Sequence, residues 1–234
     1  MSKPVLYLLP GLLCDARIFA TQIADLADTC EVKSLDFFGF DSIPAMAQHV
    51  LKQAPEKFSV AGFSMGGRVA FEVFRQAPER IERFCAFDTG LPPLAPGELE
   101  KREAIIKLAY DKGMEGLADS WLPPMIHPAR QGDEAFMKPL RDMILSVTPE
   151  IHEKQIRALI SRPDARPVLQ QIHCPALFLA GRQDAWSPPE HHEEMAKAVP
   201  GSRLVVIEDS GHFVSVEQPA AFTKALREWM EIKV

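Results

Sequence analysis

The stretch Phe58-Ser59-Val60-Ala61-Gly62-Phe63-Ser64-Met65-Gly66-Gly67, running on into Arg68 to Gln76, decides the fold. Phe58 to Ala61 is a short apolar run of strand type, and Val69 to Phe74 repeats apolar residues at helical spacing, so Ser64 stands where a strand turns straight into a helix. The pattern is G-x-S-x-G, a nucleophile elbow in the strand–turn–helix setting that it requires. A serine at so sharp a turn has a strained backbone, and side chains at positions 62 and 66 would collide with the neighbouring strand and helix. The turn also presents Ser64 at a helix N-terminus, where free N–H groups and the macrodipole favour developing negative charge.

Working outward, five further runs have strand character: Val5 to Leu9, Val32 to Asp36, Phe84 to Asp88, Ala176 to Ala180 and Arg203 to Ile207. Helical patterns such as Ile18 to Leu26 and Met46 to Leu51 separate most of them, and strand–helix–strand at this rhythm means a mostly parallel sheet of about six strands with helices on both faces. The rhythm fails once. Proline-rich residues 91–167 carry helical segments, roughly Glu98 to Lys112, Asp133 to Val147 and Glu150 to Ile160, with no strand between them. They are expected to form a helical cap inserted over one end of an α/β core made of residues 1–90 and 168–234.

With 234 residues, 47% of them apolar and 25% charged, the chain can bury a full core, and a disulfide-stapled miniprotein or a disordered chain is excluded. A net charge of −6 without charge blocks gives no footprint for nucleic acid or an anionic membrane. Cys14, Cys30, Cys85 and Cys174 are far apart and show no CxxC spacing, which argues against a zinc site or disulfide framework and for reduced thiols. Val5 to Leu13 imitates a short signal peptide, but Pro10-Gly11 breaks the run and no cleavage site follows. No apolar segment is long enough to span a membrane, and a cytoplasmic monomer or homodimer is the expectation.

A serine hydroxyl needs a general base. Of seven histidines, His49 and His152 lie in helical patterns and read as solvated, His127 is in the insertion, His173 precedes a strand, and His191 and His192 sit on a polar helix. His212 differs, because Asp209-Ser210-Gly211-His212-Phe213 follows the last strand and reaches the sheet edge that bears Ser64. Asp184, just past the strand Ala176 to Ala180, is the expected orienting carboxylate; Asp88 is its rival, and Asp209 is too near His212 in sequence. Backbone N–H groups of Met65 and of Leu12, in the turn Leu9-Pro10-Gly11-Leu12-Leu13, would form the oxyanion hole.

These four motifs, in the order Ser64, Asp184, His212 with the turn at Leu12 before them, resemble the α/β-hydrolase superfamily, in particular its small capped bacterial serine hydrolases. The resemblance covers nearly the whole chain. It implies an α/β-hydrolase fold and places nucleophile, acid and base on Ser64, Asp184 and His212, with oxyanion donors on Leu12 and Met65. Asp36 to Ser42 resembles the family's D-x-x-G-x-G-x-S loop with Asp41 in place of its second glycine. Two departures stand out: the family's usual histidine before the oxyanion glycine is Pro10, and its two opening antiparallel strands are expected to be absent.

The activity so implied is cofactor-free hydrolysis of a small to medium, largely apolar carboxylic ester through an acyl-enzyme on Ser64. Carbon–carbon bond hydrolysis or enol-lactone opening by the same residues is the alternative, and a small-molecule receptor with a vestigial triad is a second. Metal hydrolysis is disfavoured, since no HxxxH or carboxylate cluster exists. Trp121 and Met125 from the insertion, with Phe213 beside His212, are the expected pocket walls. Among Arg130, Arg141, Arg157, Arg162 and Arg166, one could hold a substrate carboxylate, against the simpler reading of solvated surface charge.

Overall fold

The computed structural model describes residues 3–234. In chain order they form β1 (Val5–Leu9), α1 (Ala20–Asp25), β2 (Glu31–Ser34), α2 (Ile43–Gln53), β3 (Phe58–Phe63), α3 (Met65–Gln76) and β4 (Ile81–Phe87). Then come α4 (Glu98–Trp121), α5 (Glu134–Leu145), α6 (Pro149–Ile160) and α7 (Arg166–Leu169). The chain ends with β5 (Ala176–Gly181), α8 (Pro189–Ala198), β6 (Arg203–Ile207), α9 (Val214–Glu217) and α10 (Pro219–Met230). The six strands make one sheet in the order β2-β1-β3-β4-β5-β6, and every neighbouring pair is parallel.

Phe84 and Phe87, three apart on β4, face opposite sides of the sheet. Phe84 meets Phe71 and Phe74 of α3, whereas Phe87 meets Phe222 of α10, so both faces are covered by helices. Central β3 and β5 are accordingly buried along their whole length, while β2 at the edge alternates between exposed and half-buried residues. Strand order reverses between β1 and β3, the crevice where parallel sheets bind ligands. Register pairs Leu9 with Gly62, which brings the turn after β1 against Ser64.

Between β4 and β5 the chain contributes α4 to α7 and no strand. Asp133 caps α5 by accepting from Phe136 N, and Thr148 caps α6 by accepting from Ile151 N, with Pro149 in the first turn. Gly113, at φ 68° and ψ −179°, breaks α4 into two arms: the first ends at Lys112, where the periodicity does, and the second runs on to Trp121.

His152 departs from the solvated reading. It lies on the side of α6 packed against α4, is wholly buried, and has no partner on either ring nitrogen among the described residues. Burial and the nearby Arg102 charge push its pKa down to about 4, from an ordinary 6.5. The unfolded chain takes up that proton near the ordinary value and the folded chain resists it, so stability falls as pH drops from 6.5 to about 4. Replacing His152 by Leu is expected to flatten the decline of Tm across this window, which thermal unfolding at a series of pH values measures; an unchanged slope overturns the assignment.

Candidate active site

Ser64 sits between β3 and α3 at φ 52°, ψ −113°, a region an L-residue rarely occupies. A Cβ on Gly62 would lie 2.2 Å from Gly66 O, and one on Gly66 would lie 2.1 Å from Leu9 O, so only glycine lets strand, turn and helix approach this closely. Ser64 N donates to Phe87 O, and the Ser64 carbonyl accepts from Gly67 N, Arg68 N and Thr89 Oγ1. The strained residue is thereby clamped on both sides.

The expected partners converge on it. Ser64 Oγ–H donates to His212 Nε2 at 2.9 Å, and His212 Nδ1–H donates to Asp184 Oδ2 at 2.7 Å. The second Asp184 oxygen, Oδ1, accepts from Trp186 N at 2.8 Å and Ser187 N at 3.0 Å. Burial pushes the Asp184 carboxyl up, but the His212 charge, the His212 hydrogen bond and these two amides outweigh it and hold the pKa below its usual value. An ionised Asp184 accepts from His212 Nδ1–H and so leaves Nε2 as acceptor for the serine.

Leu12 and Met65 line the same cavity as Ser64, and neither backbone N–H has a partner among the described residues. The next residue, Leu13, has φ 61°, and its N–H donates at 2.8 Å to Gln155 Oε1 on α6. Met125 O accepts from His212 N at 2.7 Å, and buried Glu217 accepts from both His127 N and Phe213 N. The segment between β4 and β5 therefore braces both the turn after β1 and the histidine loop, contacts no periodicity signals.

Asp88, the rival carboxylate, makes no bond to His212. Fully buried at φ 44°, it accepts from Gly181 N at 2.9 Å and Val214 N at 3.4 Å, tying the end of β4 to the loops that carry Asp184 and His212. Burial and the Asp184 charge raise its pKa well above the carboxylate range. Asp209 is exposed and stands apart from the His212 ring. His192, grouped with His191 on a polar helix in the sequence, is instead buried and accepts from Thr89 N through Nε2. Burial lowers its pKa to about 4 and keeps it a neutral acceptor. Thr89 and His192 thus form a second layer behind Ser64 that sequence spacing did not reveal.

The cavity over Ser64 and His212 measures about 510 Å³. Trp121 and Met125 line it; Phe213 does not. Its ring is buried against Phe63, 5.3 Å between centroids, because its backbone N–H is drawn to Glu217 on the inner side of the loop. Of the five arginines considered, only Arg162 reaches the cavity, together with Arg68 and Arg102, which were missed. Arg141, Arg157 and Arg166 pair with surface carboxylates, and Arg130 lies over the Phe136 ring. Arg68 was legible in principle: four residues after Ser64, it lies on the same face of α3.

A parallel α/β sheet with serine, histidine and carboxylate gathered at its carboxyl edge is the architecture of α/β hydrolases, and the chain belongs to the alpha/beta hydrolase family, whose model matches residues 6–225. It is 26% identical over 242 residues to a pimeloyl-[acyl-carrier protein] methyl ester esterase of Neisseria meningitidis, covering 96% of this chain and 76% of that protein. A thermophilic esterase from Thermogutta terrifontis superposes with a TM-score of 0.87 at 29% identity, covering 98% of this chain and 90% of that one. The enol-lactonase from Burkholderia xenovorans LB400 gives 0.89 at 25% identity, with 99% and 93% covered.

Removing the Asp88 carboxylate leaves two buried amides without an acceptor. Asp88→Ala is expected to cost about 1–3 kcal/mol per amide, and Asp88→Asn, which keeps one acceptor oxygen, distinctly less. Urea unfolding of both variants measures the difference; equal losses would show that the tie is not what Asp88 contributes.

Proposed function

We propose that this chain is a serine hydrolase that cleaves carboxylic esters through an acyl-enzyme on Ser64. The observation that carries the reading is the unbroken chain from Asp184 through His212 to Ser64, opening on a cavity of about 510 Å³ beside two amides that have no partner among the described residues. His212 Nε2 takes the hydroxyl proton as Ser64 Oγ attacks the ester carbonyl carbon, and the resulting oxyanion is held by Leu12 N–H and Met65 N–H. The imidazolium, stabilised by Asp184, returns that proton to the departing alcohol as the tetrahedral intermediate collapses to the acyl-enzyme. Water then repeats the sequence, with His212 as base and Ser64 as leaving group, and releases the acid. Residues 91–167 act as the cap in this reading: Trp121 and Met125 wall the acyl or alcohol group, while Met125 and Gln155 also hold the catalytic loops in register.

The esterases of Neisseria meningitidis and Thermogutta terrifontis support an ester as substrate. A lactone is an internal ester and would pass through the same steps, a second reading favoured by the likeness to the enol-lactonase. A receptor with a vestigial triad has no need of the complete hydrogen-bond chain at Ser64.

A fluorophosphonate probe is expected to label Ser64 alone, and p-nitrophenyl esters and lactones are expected to turn over. Asp184→Asn and His212→Ala should each lower kcat by about 10³ to 10⁵, as members of a unit do, and Asp88→Asn far less. Labelling that survives Ser64→Ala, or a larger loss at Asp88 than at Asp184, overturns the assignment.

A further inference from the structure

Three guanidinium groups, from Arg68, Arg102 and Arg162, line the cavity over Ser64, and Glu98 is the one carboxylate in the same lining. Glu98 is saturated. Its Oε1 accepts from Arg102 and Arg162, and its Oε2 accepts from Arg162 Nη2 and Ala95 N. Arg162 is equally occupied, since its remaining donors reach the carbonyls of Pro92, Pro93 and Leu159. These bonds explain Arg162 as a staple of the loop after β4.

Arg68 is different. Only its Nη1 has a partner, the Pro92 carbonyl at 2.9 Å, and neither Nε nor Nη2 donates to any group among the described residues. A loop staple would need no more than that one donor. Arg68 is only partly exposed, stands one helical turn from Ser64, and faces two other guanidiniums with no carboxylate of its own. Burial and the Arg162 and Arg102 charges outweigh the carboxylates of Glu98 and Asp164 and pull its pKa down to about 9, so the cation is held against a desolvation cost that a bound anion would relieve.

We infer that Arg68 binds a free carboxylate on the substrate, so that the ester cleaved at Ser64 belongs to a half-ester of a small dicarboxylic acid. An unoccupied planar fork matches the two oxygens of one carboxylate, and the remaining walls, among them Leu12, Ile105, Trp121 and Leu159, suit a short methylene chain between the two ends. This rests on the ester-hydrolase reading for the bond broken, but not for the anion bound.

Calorimetric titration tests it without turnover. Ser64→Ala protein at neutral pH is titrated with the monomethyl esters of succinic, glutaric and adipic acids, and with the corresponding dimethyl esters. The half-ester of at least one length should bind about tenfold tighter or more than its diester, as expected for one charge-assisted pair. Adding Arg68→Gln should bring that ratio close to one, whereas Arg68→Lys, which keeps the charge and loses the fork, should leave part of it. Equal binding of half-ester and diester, no binding of either, or a preference that survives Arg68→Gln overturns the inference. Should Arg68→Gln fail to fold, the ratio with Arg68 intact and the Arg68→Lys value still decide it. Turnover of neutral esters by the Ser64 protein is a separate measurement, so the carboxylate site and the hydrolase reading can fail independently.

Discussion

Holding Ser64 at φ 52°, ψ −113° costs on the order of 1–3 kcal/mol of backbone strain, and much of the surrounding structure is arranged to keep it there. The approach of β1 to α3 leaves no volume for a side chain at Gly66, and the approach of β3 to α3 leaves none at Gly62. Thr89 ties the Ser64 carbonyl to the end of β4, and buried His192 in turn holds Thr89 N. Relaxing Ser64 to an extended conformation would swing Oγ away from His212, so the reaching distance of 2.9 Å depends on a turn that is unfavourable in isolation.

The loops that meet Ser64 are tied to one another by hydrogen bonds from their backbone N–H groups. Asp88 joins the ends of β4 and β5 and the start of α9; Glu217 joins the histidine loop to the segment between β4 and β5; Met125 O holds His212 N. Two of these anchors, Asp88 and Glu217, are buried carboxyl groups, a costly choice compared with apolar residues, and each is offset by amides aimed at it. The result is that the helices over the sheet and the Ser64 site beneath them share a hydrogen-bond network. A change in either is felt in the other.

Ser64, Asp184 and His212 were legible because each follows a strand directly, and in a parallel sheet every such position lies at one edge. Short apolar runs located the strands to within a few residues, and the glycines around Ser64 carried a steric meaning of their own. The braces were not legible. Nothing in the spacing of Gln155 or Met125 tells that one accepts from Leu13 and the other from His212, since those contacts span 142 and 87 residues and depend on how the helices fold back. Neighbours in sequence were misleading for the same reason: His192 and Phe213 read as polar-helix and pocket-wall residues, yet one is a buried acceptor and the other packs on Phe63. The arginines needed three dimensions too, because only their partners separate the fully occupied guanidinium of Arg162 from that of Arg68, which has a single partner on Nη1.

Gly113 makes α4 a lever. Its bend has open space around it, with nothing within 4 Å of where a Cβ would sit, and the angle between the two arms is held by their packing against α5 and α6. Trp121 lies eight residues beyond the bend, roughly 12 Å along the helix axis, and a rotation of about 10° there carries its ring some 2 Å across the mouth of the cavity. That wall is coupled to the sheet edge, because Met125, four residues on, holds His212 N: a shift of the second arm that reshapes the chamber also reaches the loop after β6.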